Sequence, residues 1–124
     1  MDSQTLTLLN ASGSAPVYAC RAWVNFNGTG TVAIRASGNV SSITDNGTGN
    51  YTVNFTTAMP DANYIAAPIG FTGLGLLGLS GGIPVEAGSN NTTYYRSTSA
   101  YRFTTMNATW DFTDTYSAGV AIFR

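Results

Sequence analysis

The stretch CRAWVNFNGTGTVAIRASGNVSSITDNGTGNYTVNFTTAMP, residues 20–60, decides the fold. It contains the word NGTG twice, at 27–30 and again at 46–49. Asn-Gly supplies the positive φ that both central residues of a type I′ turn need, so each word predicts a tight hairpin turn. Short runs rich in β-branched and aromatic residues flank the turns: Ala22–Phe26, Thr31–Arg35, Val40–Thr44 and Tyr51–Thr56. The stretch therefore predicts a meander of about four strands on which the rest of the chain packs.

Side-chain alternation indicates which face of each predicted strand is buried. In Tyr51–Thr56, three apolar residues share one face and three hydroxyl or amide residues share the other. In Ala22–Phe26, Val24 and Phe26 lie on one face and Trp23 lies on the opposite face. A slip of one residue would exchange the two faces, so this alternation specifies the register strongly.

The rest of the chain continues the β pattern. Gly70–Pro84 is predicted to be a loop, because its many glycines disfavour regular elements. Tyr116–Phe123 is apolar on both faces, which is typical of a central strand. Further strands are predicted at Tyr64–Phe71, broken or ended near Pro68, and at Tyr94–Ser99, Tyr101–Thr105 and Trp110–Phe112. About nine short strands predict a single antiparallel β-sandwich over residues 15–124, preceded by an N-terminal arm or attachment segment, 1–14.

One part of the chain carries a family resemblance. The run CRAWVNFNGTGTVAIRASGNVSSITDNGTGNYTVNFTTAMPDANY, within Ala15–Ala66, resembles a module of bacteriophage virion proteins. That module is met near the distal end of tail fibres and in related surface fibres. The resemblance implies a homotrimeric structural protein of the virion, with attachment to the host as its task. The implied partners are further copies of the chain, other virion proteins bound through the N-terminal arm, and a host surface glycan.

The resemblance supports two roles. In the first, the protein is a short trimeric tail-fibre or spike subunit that contacts the host surface. In the second, it is a head decoration or cement protein with a purely architectural role on the capsid surface. The resemblance begins close to Met1, so the sequence as given holds no shaft or tail-anchoring domain. We therefore expect a small subunit that attaches through its N-terminus or through one face.

The chain is unusually poor in charge. Charged residues make up 9% of it, against ~25% in ordinary soluble domains. With so few charged residues, there is little electrostatic repulsion between copies of the chain. This favours a subunit that packs against other subunits over a secreted β protein. The formal net charge of −1 and the lack of a basic patch argue against nucleic acid as a partner. No apolar run approaches the ~20 residues of a membrane helix, so membrane insertion is not expected.

Little catalytic chemistry is available. The sequence contains no histidine, which excludes the Ser-His-Asp and Cys-His arrangements and the usual zinc sites. Cys20 is the single cysteine and is predicted to be a small, half-buried side chain. Asp111 and Asp114 are predicted to form turns, with a glycosidase pair or a calcium site as alternatives. The sequence thus predicts a protein that is not an enzyme and has no cofactor, catalytic residue or metal ligand.

Two groups of residues are candidates for interaction. Tyrosine gives rigid amphipathic area, and Asn and Arg add directional hydrogen bonds, a combination that suits glycan binding. The candidate receptor or glycan contacts are Asn91, Tyr94, Tyr95 and Arg96, with ordinary core or cross-strand pairing as the alternative. An apolar Gly/Leu segment should not face water. It predicts either a loop tucked under the sandwich or an inter-subunit contact through Leu74, Leu76, Leu77 and Leu79. On the second predicted strand, Arg35 is expected to pair with a carboxylate such as Asp45 or Asp61.

Overall fold

The computed structural model describes residues 15–71, 77–81, 96–107, 109 and 111–124. These residues form eight strands and no helix. The strands are β1 Ala22–Asn27, β2 Ala33–Gly38, β3 Val40–Gly47, β4 Asn50–Phe55, β5 Ile65–Phe71, β6 Leu77–Gly81, β7 Ala100–Met106 and β8 Ser117–Phe123. The predicted all-β class is confirmed. The sequence predicted about nine strands, and the described part of the chain contains eight.

The strands form two antiparallel layers. The strands are hydrogen-bonded in the order β2-β1-β8-β5-β6-β7-β4-β3. Strands β2, β1, β8 and β5 make the four-stranded first sheet, and β7, β4 and β3 make the three-stranded second sheet. The short strand β6 is hydrogen-bonded to β5 on one side and to β7 on the other, so it joins the two layers. Every pairing is antiparallel, and the result is a sandwich-like fold. Strand β8 lies between β1 and β5, as its two apolar faces predicted.

The core lies between the two sheets and is rich in aromatic rings. The Phe26 ring of β1 stands edge-on to Tyr51 of β4, with centroids 5.1 Å apart, and to Phe103 of β7, 6.0 Å away. Edge-to-face pairs of this kind stabilise a core beyond their buried area. The predicted alternation is confirmed in β1 and β4, where Val24, Phe26, Tyr51, Val53 and Phe55 are buried while Trp23 is exposed.

The predicted type I′ turns are wrong at both NGTG words. Neither Asn27 nor Gly28 has positive φ, and neither does Asn46. After β1, the Asn27 side chain instead accepts hydrogen bonds from the backbone N and hydroxyl of Thr29, at 2.9 and 2.6 Å. Between β3 and β4 the tip is Thr48-Gly49, and only Gly49 of those two has positive φ, at 62°. Identical words therefore form different connections, because each meets different neighbours.

The structure corrects two boundaries in the middle of the chain. Strand β5 does not break at Pro68 but runs through it and pairs with β8 from Ile65 to Phe71. In the described part of the chain, β6 pairs with β5 only at Gly70 and Phe71, so no strand lies beside Pro68 on the side away from β8. Proline is tolerated within a sheet at such an open edge. Residues Leu77–Gly81 of the predicted loop form β6.

Asn39 forms the corner at which the chain passes from the first sheet to the second. Its φ of 55° lies in the left-handed region, which Asn tolerates better than most residues. Its side-chain amide donates to the carbonyls of Arg21 and Thr57, at 3.1 and 3.0 Å. Its side-chain oxygen accepts from the Thr57 backbone N at 2.7 Å. One side chain thus ties together the segments before β1 and after β4.

Two further predictions, the ion pair of Arg35 and the partial burial of Cys20, are wrong. Arg35 pairs with neither Asp45 nor Asp61. Its guanidinium donates to the Tyr116 carbonyl at 2.7 Å and lies 4.6 Å from the centroid of the Tyr116 ring. Cys20 is exposed rather than half-buried, with its thiol 3.0 Å from the Ala22 carbonyl oxygen.

Candidate functional site

The outer face of the first sheet is apolar and exposed. Cross-strand register places Trp23 of β1 beside Ala121 of β8, and Ala67 of β5 beside Ala121 on the other side. The next row runs from Asn25 through Gly119 to Ile69, and a third pairs Ile65 with Phe123. Ile65 and Ile69 remain 66% and 69% exposed, which is unusual for isoleucine. We call this surface the apolar face: Trp23, Asn25, Ile65, Ala67, Ile69, Gly119, Ala121 and Phe123.

A groove runs along the apolar face. Its volume is about 420 Å³, and its floor is the small-residue strand β8 at Gly119 and Ala121. Ile69 and Ala67 line one side, and Asn25 lines the other. The short side chains of β8 therefore form the floor of the groove, and the bulky Ile69 side chain stands higher beside it.

Within the part of the chain that the structure describes, charged side chains lie at the two ends of the apolar face. Arg35 reaches one end, where it lies 3.5 Å from the Asn25 side-chain oxygen. At the other end Arg124 lines a shallow cleft with Ile65 and Phe123, and its guanidinium pairs with Asp61 at 2.8 Å. Hydrogen bonding from Arg124 lowers the pKa of Asp61 to about 2, so this pair stays ionised over the whole neutral range. The eight residues that define the apolar face are all uncharged.

The outer face of the second sheet has the opposite character. It carries hydroxyl and amide groups that hydrogen-bond to one another across β3, β4 and β7. The Asn54 amide donates to the Thr44 hydroxyl at 3.0 Å, and the Asn46 amide donates to the Thr52 hydroxyl at 2.7 Å. We call this surface the polar face: Ser42, Thr44, Asn46, Asn50, Thr52, Asn54 and Arg102. Such a face is well solvated and does not require a partner.

Asp114 links the tip of the second sheet to the end of the chain. Its carboxylate accepts a hydrogen bond from the Gly49 backbone N at 2.7 Å and lies 3.1 Å from the Tyr51 hydroxyl. The Tyr51 hydroxyl also lies 3.0 Å from the Gly28 carbonyl oxygen. The prediction that Asp114 forms a local turn is wrong, since its partners are 65 and 63 residues away. Desolvation by burial raises the pKa of Tyr51 to about 12, and the nearby Asp114 charge acts in the same direction.

Tyr64 and Arg96 anchor the segment before β7. The buried Tyr64 hydroxyl lies 3.0 Å from both the Ser97 and the Ala100 carbonyl oxygens. Arg96 donates to the Tyr64 carbonyl at 3.0 Å while its side chain stays exposed. Burial raises the pKa of Tyr64 to about 12. Among the candidate receptor contacts, Arg96 is thus held in place by the scaffold.

The other predicted interaction residues fall mostly outside the described part. Asn91, Tyr94 and Tyr95 lie there, as do Leu74 and Leu76. Leu77 and Leu79 belong to β6. The apolar face was missed by sequence reasoning, although its signal was present. The run IAAPIGF in β5 is apolar at every position, which leaves isoleucines on a face that no other sheet covers.

The remaining acidic residues serve local structure in the described part of the chain. Asp111 accepts a hydrogen bond from the Thr109 hydroxyl at 2.7 Å, and its backbone N donates to the Asn107 side-chain oxygen at 3.0 Å. Asp61 accepts from the Asn63 backbone N at 2.8 Å, a local turn two residues long. Within the described ranges, no three His, Cys, Asp or Glu side chains lie together so that they could hold a metal ion.

Comparison of the chain with protein-family models, curated proteins and solved structures finds no match. In the described segments there is no helix with the length and apolar character needed to span a membrane.

Proposed function

We propose that this protein is a non-enzymatic structural subunit that assembles with copies of itself through the apolar face, as a short trimeric tail-fibre or spike subunit of a phage virion. The virion assignment rests on the sequence resemblance within Ala15–Ala66. The observation that supports self-assembly is the contrast between the outer faces of the two sheets. One face is apolar and uncharged, whereas the other is covered by self-satisfied hydroxyl and amide groups.

The size of the apolar face supports an interface that also includes neighbouring residues. Three strands ~4.8 Å apart, with a rise of ~3.3 Å per residue over the length of β5, give a flat area of roughly 330 Å². That lies within the ~300–600 Å² range of the largest patches on monomeric proteins. A stable interface takes about 800 Å² from each partner, so the rim around Tyr18 and Phe123 would have to contribute.

Replacing Ile69 with aspartate is expected to dissociate the oligomer. The substitution would place a carboxylate in the centre of the apolar face, where burial without a partner costs several kcal/mol. Multi-angle light scattering at micromolar concentration should give about three chains for the parent protein and one chain for Ile69→Asp.

Thr44→Asp is the matched control for that experiment. It places the same side chain at an exposed strand position on the polar face, and it should leave the oligomer intact. Circular dichroism would show that both variants keep the β fold. A parent protein that is monomeric, or an Ile69→Asp variant that keeps the parent mass, would contradict the proposal.

Attachment to the host would come from the segment before β7, because binding residues concentrate on loops that a rigid scaffold holds. Tyr94→Ala or Tyr95→Ala is expected to weaken binding to host cells about tenfold or more, since a stacking aromatic contributes ~1–3 kcal/mol at a binding site. Tyr116→Ala, which removes an exposed tyrosine elsewhere, should bind as the parent does. The measurement is a cell-binding assay on variants that retain the native oligomer. An oligomer without any cell binding would favour the decoration role.

A further inference from the structure

The two NGTG words allow one chemical reaction to be compared in two structural settings. In an Asn-Gly pair, the glycine backbone N can attack the asparagine side-chain carbonyl carbon, because glycine has no Cβ to hinder the approach. A bond forms between that nitrogen and Cγ, the bond between Cγ and Nδ2 breaks, and ammonia leaves. Water then opens the cyclic imide to aspartate or isoaspartate. The attack requires an accessible backbone N–H and a side chain that can rotate towards it.

At the first word both requirements are blocked. Gly28 is buried, and its N–H donates to the Thr115 carbonyl at 2.8 Å. The Asn27 side-chain oxygen is held by the Thr29 backbone N and hydroxyl. The Gly28 carbonyl oxygen lies 3.0 Å from the buried Tyr51 hydroxyl, so a rearrangement here would disturb the core. Reaction at Asn27 would require local opening. The observed rate would then be the rate in the open state multiplied by the small fraction of time that the region is open.

At the second word both constraints are weaker. Asn46 and Gly47 are exposed, and a Cβ added at Gly47 would meet nothing within 4 Å. The Gly47 N–H donates to the exposed Asp45 carboxylate at 3.0 Å, and Gly47 lies opposite Asn50 at the open end of the β3–β4 ladder. The Asn46 amide has one partner, the Thr52 hydroxyl. Neither contact involves the core.

We propose that Asn46 is a site of spontaneous deamidation in the folded protein and that the fold protects Asn27 from the same reaction. The product adds a negative charge next to Asp45 in a chain whose formal net charge is −1. It also replaces the amide that donates to Thr52 with a carboxylate that cannot donate. An isoaspartate would lengthen the backbone by one methylene group just before the Gly47–Asn50 pair, which weakens the tip of the second sheet.

The test is incubation of the full chain at mildly alkaline pH, followed by peptide mass mapping. Amide-to-acid conversion is expected at Asn46 and to be at least about tenfold slower at Asn27. In concentrated urea the two identical words should react at similar rates, which separates the effect of the fold from the effect of sequence. Labelling by an isoaspartyl methyltransferase with radioactive S-adenosylmethionine would identify the isoaspartate.

Asn46→Gln is the matched control, because glutamine keeps an amide but forms its cyclic imide far more slowly. Asn46 has no positive φ, so glutamine fits the backbone there. The native variant should lose the acidic product that the parent accumulates. Equal conversion of Asn27 and Asn46 in the native protein would overturn the proposal. So would an unmodified Asn46 over a period in which the urea-unfolded chain converts.

Discussion

Replacing Gly49 with alanine is expected to lower the free energy of unfolding by about 3 kcal/mol or more. Two effects add at this position. A non-glycine residue at a φ of 62° costs ~1–2 kcal/mol. An added Cβ would also lie 2.7 Å from the Thr113 backbone N and 2.5 Å from the Thr105 carbonyl oxygen, and such overpacking costs ~1–3 kcal/mol. Urea denaturation followed by tryptophan fluorescence would measure the difference.

Gly30→Ala separates the two effects. Gly30 has nearly the same φ, 61°, but an added Cβ there would meet nothing within 4 Å. This variant should therefore lose only the conformational part, about 1 kcal/mol. Equal losses for both variants would mean that the turn tip does not approach β7 and the segment around Thr113.

Alkaline unfolding is the second large effect that we expect. The pKa values of Tyr51 and Tyr64 are about 12 in the folded protein, against 10.0 for an ordinary tyrosine. Below pH 10 both states keep these phenols neutral, so the folded state loses nothing. As the pH rises from about 10 to about 12, the unfolded chain releases protons that the folded chain still holds, and stability falls. A shift of this size corresponds to about 3 kcal/mol for each tyrosine.

Urea unfolding at several pH values between about 9 and 12 would test this expectation. The double variant Tyr51→Phe, Tyr64→Phe is the control, because phenylalanine fills the same space without a titrating group. It is expected to be less stable at neutral pH, since the Gly28 carbonyl and the Asp114 carboxylate lose the Tyr51 hydroxyl as a hydrogen-bond partner. Its stability should nevertheless vary less with pH over this range. A parent protein with constant stability up to pH 12 would contradict the assigned burial of the two hydroxyls.

The candidate site could be predicted from the sequence only in part. Low charge and resemblance to fibre proteins indicated self-association, but the residues proposed for it were the leucines of the Gly/Leu segment. The structure adds the apolar face, whose isoleucines come from β5 and whose floor comes from β8. Which side chains share this face depends on the order of the strands in the sheet. The sequence does not state that β5 and β8, some fifty residues apart, are neighbours.

Local periodicity by itself determined the all-β fold class and which face of each of the strands β1 and β4 is buried. Alternation in β1 and β4 specifies which side chains enter the core, because successive residues of a strand point to opposite faces. The apolar run of β8 likewise identified a central strand.

Tertiary structure alone decided the features whose partners are distant in sequence. Arg35 meets Tyr116 across 81 residues, and Asp114 meets Gly49 across 65. The two NGTG words differ for the same reason, since Gly28 is buried under Thr115 whereas Gly47 faces open space. A local pattern specifies backbone preferences worth about 1 kcal/mol per residue. Burial and long-range hydrogen bonds are of equal or greater size, so they select the final turn, the ion-pair partner and the exposed face.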